Sequence, residues 1–134
     1  MEGRRPKNLV LILAREFASK LATAAFVCDE GGRLVYFNEP AEHIIGHTFA
    51  EAGELPLEEW SAQFGPRDSS GAPLELRDRP VGVALLERRP AHSVFRITGL
   101  NGRERDIAVT AFPLFAHTDE LVGVVALFWE QPEA

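Results

Sequence analysis

The segment Val27-Cys-Asp-Glu-Gly-Gly-Arg-Leu-Val-Tyr-Phe-Asn38 decides the architecture. Ala24–Asp29 is a short run of β-prone residues, Glu30-Gly31-Gly32 supplies a turn, and Arg33–Phe37 is apolar again. Two such runs joined by a Gly-rich connection predict a β-hairpin. Asn38, with Pro40 just behind it, then reads as the N-cap of a helix, and Gly46 as its C-cap.

Working downstream, Thr48-Phe-Ala-Glu51 is a capping box that opens another short helix, and Leu57–Phe64 reads as a third. Residues 65–73 are rich in Gly, Pro and Ser and predict a loop. Asp78 and Pro80 start a helix that runs to about Arg89, where Pro90 stops it. Three strands follow: Ser93–Thr98, Glu104–Phe115 and Leu121–Trp129, separated by turns at Gly99-Leu-Asn-Gly102 and around His117-Thr-Asp-Glu120. Working upstream, residues 8–22 predict a helix, with Val10, Ala14, Phe17 and Leu21 on one stripe that Leu9, Ile12 and Leu13 widen. The order is helix, β-β, short helices, helix, β-β-β. That is an α+β fold with a mostly antiparallel five-stranded sheet and one appended N-terminal helix.

Bulk properties narrow the function. The chain has 134 residues, 46% of them hydrophobic and 25% charged, which suits one globular domain with one core. The formal net charge is −6. From Leu34 to Pro66 there is no Lys or Arg, while six acids stand at Glu39, Glu42, Glu51, Glu54, Glu58 and Glu59. An acidic chain without a basic stripe is a poor nucleic-acid binder, and the acidic block reads as a solvated face. The single cysteine, Cys28, rules out an internal disulfide and any multi-Cys metal site. No apolar run approaches the ~18 residues of a membrane span, and the expected location is the cytoplasm. No Ser-His-Asp arrangement, phosphate-cradling loop or metal-ligand spacing is present, so neither enzymatic activity nor a metal is expected.

These motifs resemble the PAS sensor domain family. The likeness runs from Val27–Asn38 through Ala41-Glu42, Ile44-Ile45-Gly46, the helix at Pro80–Arg89, Asn101-Gly102, Ala111-Phe-Pro-Leu114 and Val122-Gly-Val-Val125, roughly residues 20–130. The resemblance implies a curved sheet of strand order 2-1-5-4-3. Short helices would cover its concave face and a flanking helix would serve dimerisation. Residues 1–22 would be that helix and 23–131 the sensor. It implies signal perception for a linked effector domain or partner protein, not catalysis. Pro132 opposes immediate helix continuation after the last strand, and whether the chain is a whole protein or a piece of a longer sensor stays open.

Registering the strands on the family pattern assigns inward and outward positions, because strand side chains alternate faces. Phe26, Cys28, Phe95, Ile97, Ile107, Val109, Ala111, Val125 and Leu127 are expected on the concave side, as a ligand pocket for a small apolar or amphipathic molecule such as a fatty acid. Ala108, Thr110, Phe112, Val122, Val124, Ala126 and Phe128 are expected outside. An outer face this apolar needs a cover. The expectation is a homodimer through Leu9, Val10, Leu13 and Phe17 of the leading helix with Val124 and Phe128 of the sheet. An interaction-only module with a filled core is the alternative.

No cofactor is expected. The flavin-binding relatives carry a Cys in the helix matching Leu57–Phe64 and amide side chains on later strands. Here that helix has no Cys, and the matching strand positions are Ile97, Ile107 and Val125, which would leave a flavin's polar edge unpaired. Haem is a minor alternative: Asp78–Arg89 has no His, His47 falls just after the first short helix, and His43 and His92 read as solvent-facing or locally bonded imidazoles. Cys28 reads as a buried small hydrophobe rather than an oxidant sensor. A cone-shaped α+β isomerase would need a carboxylate base in the pocket, and no Asp or Glu holds an inward sheet position.

Overall fold

Five strands form one antiparallel sheet: β1 (Ala24–Asp29), β2 (Leu34–Phe37), β3 (Ala91–Thr98), β4 (Glu104–His117) and β5 (Glu120–Glu130), in the order β2-β1-β5-β4-β3. The computed structural model describes residues 4–132, with side chains from residue 9 onward. The order is the expected one, and β1 and β5, the first and last strands in the chain, lie side by side at its centre.

The hairpin of β1 and β2 turns on Asp29, whose Oδ1 accepts from the N–H groups of Gly31 and Arg33. Four short helices then cross one face: α2 (Glu39–Ile45), α3 (Phe49–Ala52), α4 (Leu57–Phe64) and, after a 3-10 turn at Leu76–Asp78, α5 (Pro80–Glu87). Two of them begin on a side-chain cap, and α5 begins on a proline, Pro80. Asn38 caps α2 through Ala41 N–H, and Thr48 with Glu51 closes a capping box on α3. Residues 65–73 do not hang free. Arg67 and Arg96 exchange backbone hydrogen bonds of 2.9 Å, so the loop extends the sheet past the β3 edge.

The leading helix, α1 (Arg4–Ser19), lies on the opposite, outer face. It seats through Ala14 and Ala18, with Leu11 and Leu21, against Ala25, Val27 and Val125. Two alanines one turn apart let the helix backbone come close to the sheet. Phe17, which shares a helical stripe with Ala14 and is expected on a dimer surface, is turned outward with its ring exposed.

One strand has the reverse of its expected parity. In β5 the residues facing the helices are Val124, Ala126 and Phe128, while Val125 and Leu127 face α1. The cross-strand pairs agree: Ala111 opposes Ala126, and Val109 opposes Phe128. Directly opposed residues share a face. The expectation that Val125 and Leu127 line the pocket, and that Val124 and Phe128 lie on an outer dimer surface, is therefore corrected. Leu121–Trp129 is apolar at both parities, so alternation carried no signal there. Chain counting did carry one. His117 pairs with Glu120 across the two-residue turn Thr118-Asp119, and past an irregularity at Phe115 counting outward from that pair gives the observed partners, from Leu114 with Gly123 to Ile107 with Glu130.

Candidate functional site

Between the concave face and the helices lies an apolar cavity of about 60 Å³. Its sheet wall is Phe26, Phe95, Ile97, Ile107, Val109 and Phe128; its cover is Trp60 and Phe64 of α4, Pro66, and Arg79, Pro80 and Val81 at the start of α5. Five of the nine residues expected to form a pocket line this cavity: Phe26, Phe95, Ile97, Ile107 and Val109. Cys28 and Ala111 belong to the same concave core but lie away from the cavity, and Val125 and Leu127 are on the other face.

The wall is largely aromatic and held in place. Phe26 packs against Trp60 with centroids 5.9 Å apart and against Phe128 at 5.7 Å, in the inclined geometries that ring quadrupoles favour. The Trp60 indole N–H donates to the carbonyl of Gly32 at 2.9 Å, so the β1–β2 turn fixes this ring. Trp60 and Phe64 went unnoticed in the sequence, although they stand at i and i+4 of a predicted helix, the spacing that presents two side chains to one neighbour.

Arg79 is the single charged residue of the lining, and sequence reasoning missed it too. It is half-buried, its Nη1 donates to Ser61 Oγ at 2.8 Å, and its Nε and Nη2 donate to the Leu74 carbonyl. Burial holds its guanidinium below the usual arginine value. Among the described residues no carboxylate pairs with it.

The remaining candidates fall elsewhere. Cys28 is fully buried, and burial, reinforced by the charge of Asp29, pushes its thiol far above the ordinary range. A thiol held protonated in this way is a poor nucleophile. His43, His47, His92 and His117 are all exposed, and His92 stacks on Trp129 outside the sheet. The cavity lining contains no Asn, Gln, Ser, Thr or His. Among the described residues no cluster of three or more metal-ligating side chains occurs, and no helix is long and apolar enough to cross a membrane.

On the far side of α1, Leu9, Ile12, Leu13 and Phe17 are each between 55% and 59% exposed, while Val10 is half-buried. Val94 and Trp129 add exposed apolar surface.

No curated protein matches the chain. Solved structures do match its fold. The PAS domain of Bordetella pertussis BvgS is similar at 20% identity and a TM-score of 0.60, over 92% of this chain and 86% of that one. The LOV protein of Rhodobacter sphaeroides is similar at 17% identity and a TM-score of 0.67, over 89% of this chain and 66% of that one. The PAS domain of nitrogen regulation protein NR(II) from Vibrio parahaemolyticus is similar at 15% identity and a TM-score of 0.62, over 89% and 98%. The family described as PAS fold matches residues 19–131, from the end of α1 through the whole sheet. With that match and this strand order, the chain belongs to the PAS fold family, whose domains are typically sensory rather than catalytic.

Proposed function

We propose that this domain is a cytoplasmic sensor that takes a small apolar or amphipathic molecule into the concave cavity and acts as a homodimer on a linked effector or partner protein. The observation that carries the reading is the shape and lining of the cavity. Eleven apolar side chains and two prolines surround a concave pocket with a single charged group, the arrangement in which a small apolar body is buried. An occupant would gain dispersion contacts with that lining. The volume admits a body of a few carbons rather than a long acyl chain.

The dimer would form through the outward stripe of α1, around Leu13 and Phe17, since none of the described residues covers those side chains. Val124 and Phe128 take no part in it, because they face the core. A ligand shifts a sensor only through unequal affinity for its two states. The covering elements α4 and α5 are the parts it would touch.

Native mass spectrometry of the protein as purified tests the uptake. A bound adduct that disappears on mild denaturation supports the reading. A bare mass, with no stabilisation by any small apolar compound in a thermal screen, would favour the interaction-only module, which the small cavity volume also suits. Light scattering tests the dimer: Leu13→Glu with Phe17→Glu should give a monomer with unchanged secondary structure. A wild-type monomer at tens of micromolar would end that part of the proposal.

A further inference from the structure

We propose that the cavity's ligand is a small monocarboxylate, with its hydrocarbon body in the cavity and its carboxylate on Arg79. This rests on the sensory reading above and names the ligand class.

Charge is the first reason. Among the described residues six arginines have acidic partners, among them Arg33 with Glu54, Arg67 with Glu104, Arg96 with Asp106 and Arg105 with Glu130, while others without one, such as Arg15 over the Tyr36 ring and Arg88 on the Asp119 carbonyl, lie away from the cavity. Arg79 has only a hydroxyl and a backbone carbonyl. A guanidinium has five N–H donors, and three are used, which leaves one on each terminal nitrogen. Two N–H groups on neighbouring nitrogens match the two oxygens of a carboxylate. A partly desolvated cation without a counter-ion is unfavourable, and an anionic ligand relieves that penalty where a neutral one does not.

Position is the second reason. Arg79 both lines the cavity and reaches the surface, so it spans the step from apolar wall to water. It is also the N-cap residue of α5, whose first turn holds no acidic side chain, so the positive end of that helix lies beside the guanidinium.

Volume is the third reason. A water-sized occupant needs roughly 10–15 Å³ of such space, so a cavity of about 60 Å³ holds roughly four to six of them. That is a chain of about four to six carbons or a single small ring. With one cation and an otherwise apolar lining, the site has nothing to offer a second charge or a sugar.

The test is a titration of hexanoate and of 1-hexanol, followed by amide chemical shifts, on the wild type, Arg79→Gln and Arg79→Lys. On the wild type hexanoate should bind at least tenfold tighter than hexanol, and the preference should shrink as sodium chloride is raised. In Arg79→Gln the two ligands should bind alike, with hexanol affinity kept, and Arg79→Lys should restore part of the preference. Retained hexanol binding also reports that the Gln variant is folded. If that variant fails to fold, the salt dependence and Arg79→Lys still decide. Equal affinities on the wild type, or a preference that survives in Arg79→Gln, would overturn the carboxylate assignment and leave the sensory reading standing. Binding of neither compound would overturn both.

Discussion

Replacing Asn38 by Ala should destabilise this domain more than any other single polar-to-alanine change in it. Asn38 is the one buried polar residue among the described residues, 1% exposed, and its amide makes four hydrogen bonds. Its Oδ1 accepts from Ala25 N–H in β1 at 3.0 Å and from Ala41 N–H in α2 at 3.1 Å. Its Nδ2 donates to the carbonyls of Ala18 in α1 and Thr23, both at 2.9 Å. Loss of an N-cap is worth ~1 kcal/mol. Stranding the buried Ala25 N–H adds at least ~1 kcal/mol, the penalty for an unpaired buried backbone group, whereas the Ala18 carbonyl keeps a second donor in Leu21 N–H. The sum is ~2 kcal/mol, a large part of the ~5–15 kcal/mol that holds a typical domain together. In urea, with a slope of ~1.5 kcal/mol/M, the unfolding midpoint should fall by about 1.3 M. Asn38→Ser keeps the cap on Ala41 and should lose about half as much. Asn38→Asp keeps both acceptor bonds but sets oxygen against two carbonyls. Its folded pKa should rise, so its deficit against wild type should grow as pH climbs from 4 to 7. A midpoint shift below about 0.5 M for Asn38→Ala would mean water replaces the amide freely, and the reasoning fails.

Gly82→Ala reverses a usual rule. Alanine in a helix is favoured over glycine by ~1 kcal/mol, but a Cβ at Gly82 in α5 would run into the backbone carbonyl of Leu76. We expect a net loss of ~2 kcal/mol and a melting temperature lower by about 6 °C in calorimetry; a gain would refute the close approach. Cys28 should stay silent to a thiol-disulfide reagent at pH 8 in the native protein and react fully once unfolded; rapid native labelling would contradict its burial. Acid should act through four carboxylates held below their ordinary values: Glu51 by the Thr48 N–H and then its hydroxyl, Asp68 by the Ser70 hydroxyl and then the Ala72 N–H, Glu104 by Arg67, and Asp106 by Arg96. A depressed folded pKa gives stability that is complete above the unfolded value and lost as pH falls through the folded one. Urea midpoints should thus be flat from pH 7 to about 5 and fall below about 4, less steeply in Asp106→Asn. A steeper fall in that variant would count against the assignment.

The hairpin, the caps at Asn38 and Thr48, the helix Leu57–Phe64 and the strand order were legible because each rests on a local signal: a turn residue, a capping side chain, a period. The parity of β5 was not, because a strand buried on both faces has no polar phase to read. That one-residue slip moved Val124, Val125, Leu127 and Phe128 to the wrong sides together, as strand geometry requires. The cavity's sheet wall was half legible, since Phe95 through Val109 keep their phase against a polar partner such as Arg96 or Asp106. Its cover was not. Trp60, Phe64 and Arg79 meet the sheet only through tertiary packing, and no spacing along the chain announces which helix face a sheet will receive. Asn38 shows both halves: its role as a cap was in the sequence, while its hold on Ala18, twenty residues upstream, was not.

The seat of α1 on the outer sheet bears on how the domain can be moved between proteins. Family similarity begins at residue 19, just where α1 ends, so a graft cut at that border would carry the whole pocket and none of the helix. It would also uncover Ala25, Val27 and Val125, a greasy strip across the two central strands, and would remove the carbonyl that Asn38 grips. Such a graft should aggregate, and its failure to respond would say nothing about the ligand. A chimaera that begins at or before residue 4 keeps the lining of the sheet's back intact, so the border useful for transplanting this sensor lies a full helix upstream of the border that likeness draws.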